Sequence, residues 1–371
     1  MRYVERLKFM EYINNHRQPG LTGLMRVMND SLTLAQSIDS CISVLDELII
    51  TYNDCTDESP QIIARKKQEH PDKIQVIPYP YHVYGVNLTD EEYEYVKSLP
   101  DDSPYLLASY YNNALKYANY QYVVKIDADQ IYFTEKLAKL RNDIVNGIPE
   151  SFISRMIGDI IGSYFITRIS NKWMWIKWHL SHNLFRFFLP LFKAPYYKYA
   201  ISELRNGNAN LSLSGINALC VKGKWYSPIG CKTGYGIWNP YNGEGDTLVF
   251  EATDNTYYVP RDLYTYKSSD GKHAYIERFV HEDKAELNIG MIWFHLKPMQ
   301  SDTLPQLKES DRYKEACLVR LTDLMKMSYG QILNFGYSSD YSKRYYKFVH
   351  YFDRESIADN MRYLQDMTDI L

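Results

Sequence analysis

The carboxylates of Asp127 and Asp129 stand two residues apart at the end of an apolar run, "YVVKIDADQIYF" (Tyr122 to Phe133). On a continuing strand they point the same way, and on a turn they converge. Their repulsion calls for a cation between them or for open solvent around them. A divalent metal held by oxygen ligands is the chemistry such a pair supports. Two other polar stretches follow apolar runs, "VMND" (Val27 to Asp30) and "TYNDCTDES" (Thr51 to Ser59). Asn and Asp side chains in such loops can hold the base and ribose of a nucleotide, while a metal on the carboxylates offsets the charge of its diphosphate.

These loops need elements to carry them. "GLTGLMRVMND" (Gly20 to Asp30) reads as a strand running into a polar turn. The next segment has Leu34, Ile38, Ile42 and Leu45 at helical spacing, with Ser31 as the expected N-cap. "LIITY" is a β-branched strand, "PQIIARKKQEH" a helix and "KIQVIPY" a third strand. Pro80 to Pro104 is acidic, bounded by prolines and read as an insertion. "YLLASYYNNALKYANY" restores a helix that leads into the Asp-Ala-Asp strand, and "EKLAKLRNDIVNG" is a further helix closed by Gly147. The alternation predicts an α/β fold with a mostly parallel sheet flanked by helices. In such sheets ligands sit at the carboxyl ends of the strands, where all three polar loops fall.

The 371 residues and net charge of −3 give no electrostatic reason to expect a nucleic-acid partner. Five cysteines without CxxC spacing argue against a disulfide framework or a structural zinc site. The first residues lack a signal-peptide core, and no uncharged apolar run reaches the roughly 18 residues of a membrane span. The expectation is a cytoplasmic protein. The 35 tyrosines suit interfaces and sugar-binding clefts. Lys172 to Tyr199 mixes aromatics with Lys177, Arg186, Lys193 and Lys198, and "YSKRYYKFVHYF" (Tyr341 to Phe352) repeats the mixture. Both suit helices lying at a membrane surface, with inward packing or an oligomer contact as the alternatives.

In order and spacing the chain resembles the GT-A glycosyltransferases, above all the family-2-like inverting enzymes with a DxD motif. The resemblance runs from about Leu21 to Phe133 and more weakly to about Lys297. It is carried by "RVMND", "DELIITYNDCTDES", the "YNNALKYA" helix and "DAD". Tyr52 and Asn53 replace an Asp pair of the family pattern, whereas Thr56 and Asp57 match it. The resemblance implies a Rossmann-like GT-A domain over 1–300 and a helical C-terminal extension over 301–371. Within the domain it implies a nucleotide-binding half at about 20–150, an aromatic-basic insertion at about 170–200 and an acceptor half at about 200–300. It also implies Mn²⁺ or Mg²⁺ on Asp127, Asp129 and His295, with His281 the weaker choice, and a UDP-sugar donor. Asp127 would also face the ribose, Tyr52 would stack on the uracil, Asn53 or Asp54 would bond it, and Arg26 would reach the diphosphate. The base for inverting transfer would be Asp246, with Glu244 second, at a helix start in "NGEGDTLVFEA". Trp225, Tyr235 and Trp238 would stack on sugars, core packing being the alternative for each.

The expected activity is metal-dependent transfer of a sugar, of the hexosyltransferase type, to a glycan or lipid-linked glycan acceptor in bacterial surface polysaccharide synthesis (capsule, lipopolysaccharide or O-antigen). The work would be done in the cytoplasm, with peripheral contact at the inner face of the cytoplasmic membrane. Two rivals stand beside it. A haloacid-dehalogenase-type phosphatase also has a strand ending in DxD, but its motif opens the domain. A catalytically silent carbohydrate- or membrane-binding scaffold would keep the fold without the activity.

Overall fold

The computed structural model describes residues 17–165, 170–229, 232–233, 236–237, 240–243, 247–262, 273–280, 284–296, 318–333 and 340–368, with backbone alone for 183–190 and for a few other positions. Two compact units divide the chain. The first comprises Met1–Gln130, Lys232–Gly236 and Glu251–Asp283; the second comprises Ile131–Cys231, Ile237–Phe250 and Lys284–Leu371.

The first unit is built on four parallel strands, β1 (Gln18–Val27), β2 (Glu47–Tyr52), β3 (Ile74–Pro78) and β4 (Tyr120–Asp127), in the order β3-β2-β1-β4. β1 and β2 are buried along almost their whole length, as strands covered on both faces must be. Helices α1 (Leu34–Cys41), α2 (Ser59–Glu69), α3 (Asp90–Ser98) and α4 (Leu107–Leu115) connect them. The chain steps outward from β1 to β3 and then returns to lay β4 against the other side of β1. The topological switch point of this unit therefore lies between β1 and β4.

Helix α1 is shorter than its apolar spacing suggests. It ends at Cys41, and Ile42 and Leu45 are buried just beyond it. Thr33 rather than Ser31 holds the cap position, and its hydroxyl makes no cap bond but donates to the Ala128 carbonyl. The acidic segment after Pro80 contains α3. A capping box starts that helix: Thr89 Oγ1 accepts from the Glu92 N–H at 3.2 Å, and the Thr89 N–H donates to Glu92 Oε2 at 2.8 Å. Asp90, Glu91 and Glu92 in its first turn complement the helix dipole. A hairpin of Tyr257–Asp262 and Tyr275–Val280 completes the unit, and the Tyr93 hydroxyl ties α3 to it through Asp262 at 2.7 Å.

In the second unit β5 (Gln130–Tyr132) is followed by α5 (Thr134–Asn146), which Gly147 closes at φ +78°, as its sequence suggests. Helices α6 (Phe152–Gly162) and α7 (Lys172–Arg205) pack so closely that a Cβ on Gly158 would lie 2.2 Å from Tyr199 Cβ. The fully buried strand β6 (Ala209–Asn217) leads to a small antiparallel pair, β7 (Leu219–Val221) and β8 (Lys224–Pro228). Strands β9 (Tyr241–Asn242) and β10 (Leu248–Glu251) run antiparallel to β6, and β11 (Ala285–His295) runs parallel to it.

Helix α8 (Asp340–Asp353) corrects one expectation. Its aromatics turn inward rather than toward a membrane: Tyr345, Phe348, Val349 and His350 are each at most 1% exposed and fill the core of the unit. The stretch from Tyr341 to Phe352 is amphipathic, and its apolar face meets protein.

Candidate active site

The carboxyl ends of β2, β1 and β4 bring three side chains into one row. Arg26 is paired in register with Thr51 on β2 and with Asp127 on β4. Residues opposite one another in parallel strands share a face, so the three project from the same side of the sheet. That is the side on which α4 lies, and it sits at the switch point.

The charge on Arg26 is fixed by its neighbours. Burial alone would push its guanidinium down, but Tyr111, Glu277, Tyr110 and Asp30 outweigh that and hold it above its ordinary value. Two residues below Asp127 on the same face, Lys125 is buried, with Nζ 3.6 Å from Glu277 Oε1 and 5.3 Å from the centre of the Tyr111 ring. Burial raises the Tyr111 phenol to about 12, with Lys125 and Arg26 opposing it, so it stays protonated at neutral pH. Lys125, Glu277, Tyr110 and Tyr111 were not singled out in the sequence. The two-residue repeat of a strand could have flagged Lys125, which must share a face with Asp127.

The Asp127–Asp129 turn is held from α1. Ser37 Oγ donates to the Asp127 carbonyl at 3.0 Å, and Thr33 Oγ1 donates to the Ala128 carbonyl at 3.0 Å. Gln130 Nε2 donates to Asp127 Oδ2 at 2.9 Å. Asp129 is only 8% exposed, whereas Asp127 is half-buried.

The first two polar loops brace each other. Asn29 Oδ1 accepts from the Thr56 N–H at 2.7 Å, and Asp57 accepts from the backbone of Ser31 and Ser59. Burial would raise the Asp57 carboxyl, but bonds from Ser31 and Ser59 bring it below its usual value. Asn29 at φ 60° and Asp54 at φ 46° take left-handed turns, which Asn and Asp tolerate better than other residues with a side chain. Asn53 is buried, Asp54 is exposed and 2.7 Å from His82 Nδ1, and Tyr52 is half-buried. Among the described residues, Asn53 Oδ1 is buried with no hydrogen-bond partner, while the buried hydroxyls of Thr51 and Tyr110 lie within reach of each other. Buried polar atoms rarely stay unsatisfied, so Asn53 Oδ1 marks a place for a polar ligand or water. A cavity of about 420 Å³ opens in the same unit. Tyr79 and Tyr81 flank it beyond β3, Asn112 and Asn113 come from α4 and Lys116 from just after it, and Tyr257 and Tyr258 come from the hairpin.

The structure thus brings together Arg26, Tyr52, Asn53, Asp54, Asp127 and Asp129 in one unit. His295 ends β11 in the other unit, where its Nδ1 lies 2.6 Å from Asn217 Oδ1. Asp246 and Glu244 lie outside the described residues, as do Tyr235, Trp238 and His281. The expected helix after Asp246 is the strand β10, which removes both the helix-cap alternative for that residue and the helix start on which its choice as the base rested. Trp225 is 7% exposed within the apolar core, which gives it a packing role. Among the described residues, Asp39, Glu69 and His70 are the three side chains grouped at metal-ligand spacing, but Lys66 Nζ already bonds Asp39 and Glu69 at 2.6 and 2.7 Å.

Residues 11–146 match the model of a family described as beta-1,4-N-acetylgalactosaminyltransferase (CgtA). That span encloses the whole stretch from Leu21 to Phe133 in which the GT-A resemblance was strongest. No curated protein matches the chain at a significant level. Among solved structures, glucosyl-3-phosphoglycerate synthase from Mycobacterium tuberculosis, in complex with Mn²⁺, UDP and glucosyl-3-phosphoglycerate, is 17% identical. That match covers 37% of this chain and 43% of the synthase, with a TM-score of 0.25. S. aureus TarS 1-349 in complex with UDP is 12% identical over 95% of this chain and 87% of its own, with a TM-score of 0.28. A mycobacterial protein is 14% identical over 80% and 76%, with a TM-score of 0.29. The chain spans less than half of the length of the synthase.

Proposed function

We propose that the chain is a metal-dependent glycosyltransferase that moves a sugar from a UDP-sugar to a glycan. The observation that carries this is the row of Thr51, Arg26 and Asp127 at the switch point, within the span that matches a glycosyltransferase family model. Asp127 and Asp129 form an all-oxygen donor pair on a braced turn, which suits a hard divalent cation. Mn²⁺ or Mg²⁺ held there would supply charge neutralisation to the diphosphate leaving group.

The chain's own residues do the rest. Arg26, kept charged by its surroundings, faces the diphosphate. Asn53 and Asp54 offer hydrogen bonds to the base, on which Tyr52 stacks. His295 is the third metal ligand that the family resemblance implies. Asp246, with Glu244 as second choice, takes the proton from an acceptor hydroxyl. As it does so the acceptor oxygen bonds the anomeric carbon, and the bond to the diphosphate breaks with its electron pair leaving on UDP. Configuration is inverted. The acceptor is a glycan, soluble or lipid-linked, of a bacterial surface polysaccharide, and the enzyme works at the inner membrane face.

Calorimetric titration of UDP with and without Mn²⁺, into the wild type and Asp129→Asn, tests the reading. Metal-dependent binding that disappears in the variant supports it. Binding that ignores the metal and the substitution overturns it, and phosphate-ester hydrolysis would then be the activity to examine.

A further inference from the structure

In the second unit α5, α7, β11 and α8 enclose a second cavity of about 540 Å³, within the usual size of small-molecule sites. Its floor is apolar: Leu140, Ile289, Ile292 and Phe352 line it, and none is more than 7% exposed. Leu191 carries the apolar wall out to the surface, where it is 72% exposed.

The rim is basic. Lys136, Lys139, Lys193 and Lys198 all line the cavity. Two carboxylates answer them. Asp353, itself 1% exposed, pairs with both Lys136 and Lys193. Asp143 pairs with Lys139 and also accepts from the Tyr197 hydroxyl at 2.9 Å. Asp359 also acts on Lys136, whose three N–H groups are taken by Asp353, Ser356 and the Met291 carbonyl. Four cations against three anions leave a surplus of one positive charge, with Lys139, Lys193 and Lys198 at the mouth of an apolar pocket. Leu191, Ala194 and Lys198 recur at helical spacing on α7, so the greasy entrance and one of the cations share a helix face.

We propose that this cavity takes an acyl chain of an anionic phospholipid from a bilayer, with the lysine rim on the phosphate. An apolar depth excludes a free sugar phosphate, and a cationic rim disfavours a zwitterionic or neutral lipid. Elsewhere in the same unit exposed apolar side chains stand on α6, Phe152 at 83% and Ile153 at 62%, and at the start of α7, Trp173 at 72%. Such residues are suited to an interfacial layer. The inference rests on the membrane-facing reading above, and it moves the lipid contact from a helix surface to a defined pocket.

The test uses the full chain and vesicles of phosphatidylcholine with or without phosphatidylglycerol, the latter doped with an analogue carrying a photoreactive group in its acyl chain. Crosslinks should map to the segments around Leu140 and Leu191 to Lys198. Ala194→Trp, which fills the mouth from an exposed helix position, should lower crosslinking and partition about tenfold, as roughly two fewer buried methylenes would. Lys198→Glu should weaken partition into anionic vesicles roughly twenty-five-fold, at about fivefold per charge, and leave the phosphatidylcholine baseline unmoved. Both variants should bind UDP as the wild type does, so failure of the lipid site is distinguishable from failure of the transferase. Crosslinks confined to Trp173 and its neighbours, or unchanged partition of either folded variant, would overturn the pocket. If Ala194→Trp does not fold, the crosslink map and Lys198→Glu decide.

Discussion

The hydroxyl of Tyr345 lies 2.9 Å from the carbonyl oxygen of Gly243. The Tyr345 hydroxyl also meets Ser212 Oγ at 2.6 Å and accepts from Asn288 Nδ2 at 2.6 Å, so one phenol from α8 closes a buried polar cluster over β6. Gly243 sits at φ +95°, and a Cβ there would approach the Leu213 carbonyl to 2.6 Å. The backbone that enters residues 244–246 is thereby anchored by a residue a hundred positions away. Tyr345→Phe should cost about 1–3 kcal/mol, the usual penalty for buried polar groups left without a partner. Urea unfolding would measure the loss, and UDP affinity should not change.

Asp246→Asn separates chemistry from binding. Transfer should fall by roughly 10²–10⁴-fold, the usual contribution of a general base, while UDP and metal affinities stay near wild type. Loss of donor binding in this variant would move Asp246 out of the base role.

Lys125 and Glu277 form a buried ion pair behind the donor site. Removing one partner of such a pair strands the other, at a cost of about 3–5 kcal/mol. Lys125→Met should approach the low end of that range, because Arg26 also faces Glu277. Lys125→Met with Glu277→Gln should recover part of the loss in chemical denaturation, the remainder being the attraction between Arg26 and Glu277 that the second change removes.

His350 gives the fold a pH dependence. It is fully buried, with Nδ1 2.7 Å from the Tyr241 hydroxyl, and burial, followed by the nearby Arg354, lowers its pKa from 6.5 to about 4. The unfolded chain therefore binds a proton at this site between about pH 6.5 and pH 4 while the folded chain does not. The stability it contributes is present above pH 6.5 and lost as pH falls toward 4, by about 3 kcal/mol in all. Unfolding free energies across that interval should slope more steeply for the wild type than for His350→Gln.

The parallel strands and their Asp- and Asn-rich exits were readable because each is a short apolar run punctuated by polar turn residues, a local signal. The helix boundaries after Asp30 were less so. Ser31 is a good cap by type, but the helix starts at Leu34 with Thr33 at the cap position, whose hydroxyl is drawn to the Ala128 carbonyl on a distant turn, and no local pattern encodes that. The segment from Tyr341 to Phe352 failed for a related reason. An amphipathic helix shows that it has an apolar face, not whether lipid or protein will cover it. The Lys125–Glu277 pair joins β4 to a hairpin about 150 residues later, so only the alternation on β4 hinted at half of it.

The register of β1 leaves little room for editing the gene. The ladder between β1 and β4 already absorbs an irregularity between Gln18 and Leu21, so a residue inserted there could be taken up by the same bulge. An insertion between Leu24 and Arg26 has no such outlet. It would rotate Arg26 to the opposite face of the sheet and bring an apolar neighbour into line with Thr51 and Asp127. Lineages of this protein should therefore vary in length before Leu21 and in the segment after Pro80, and hold the count from Leu21 to Arg26 constant.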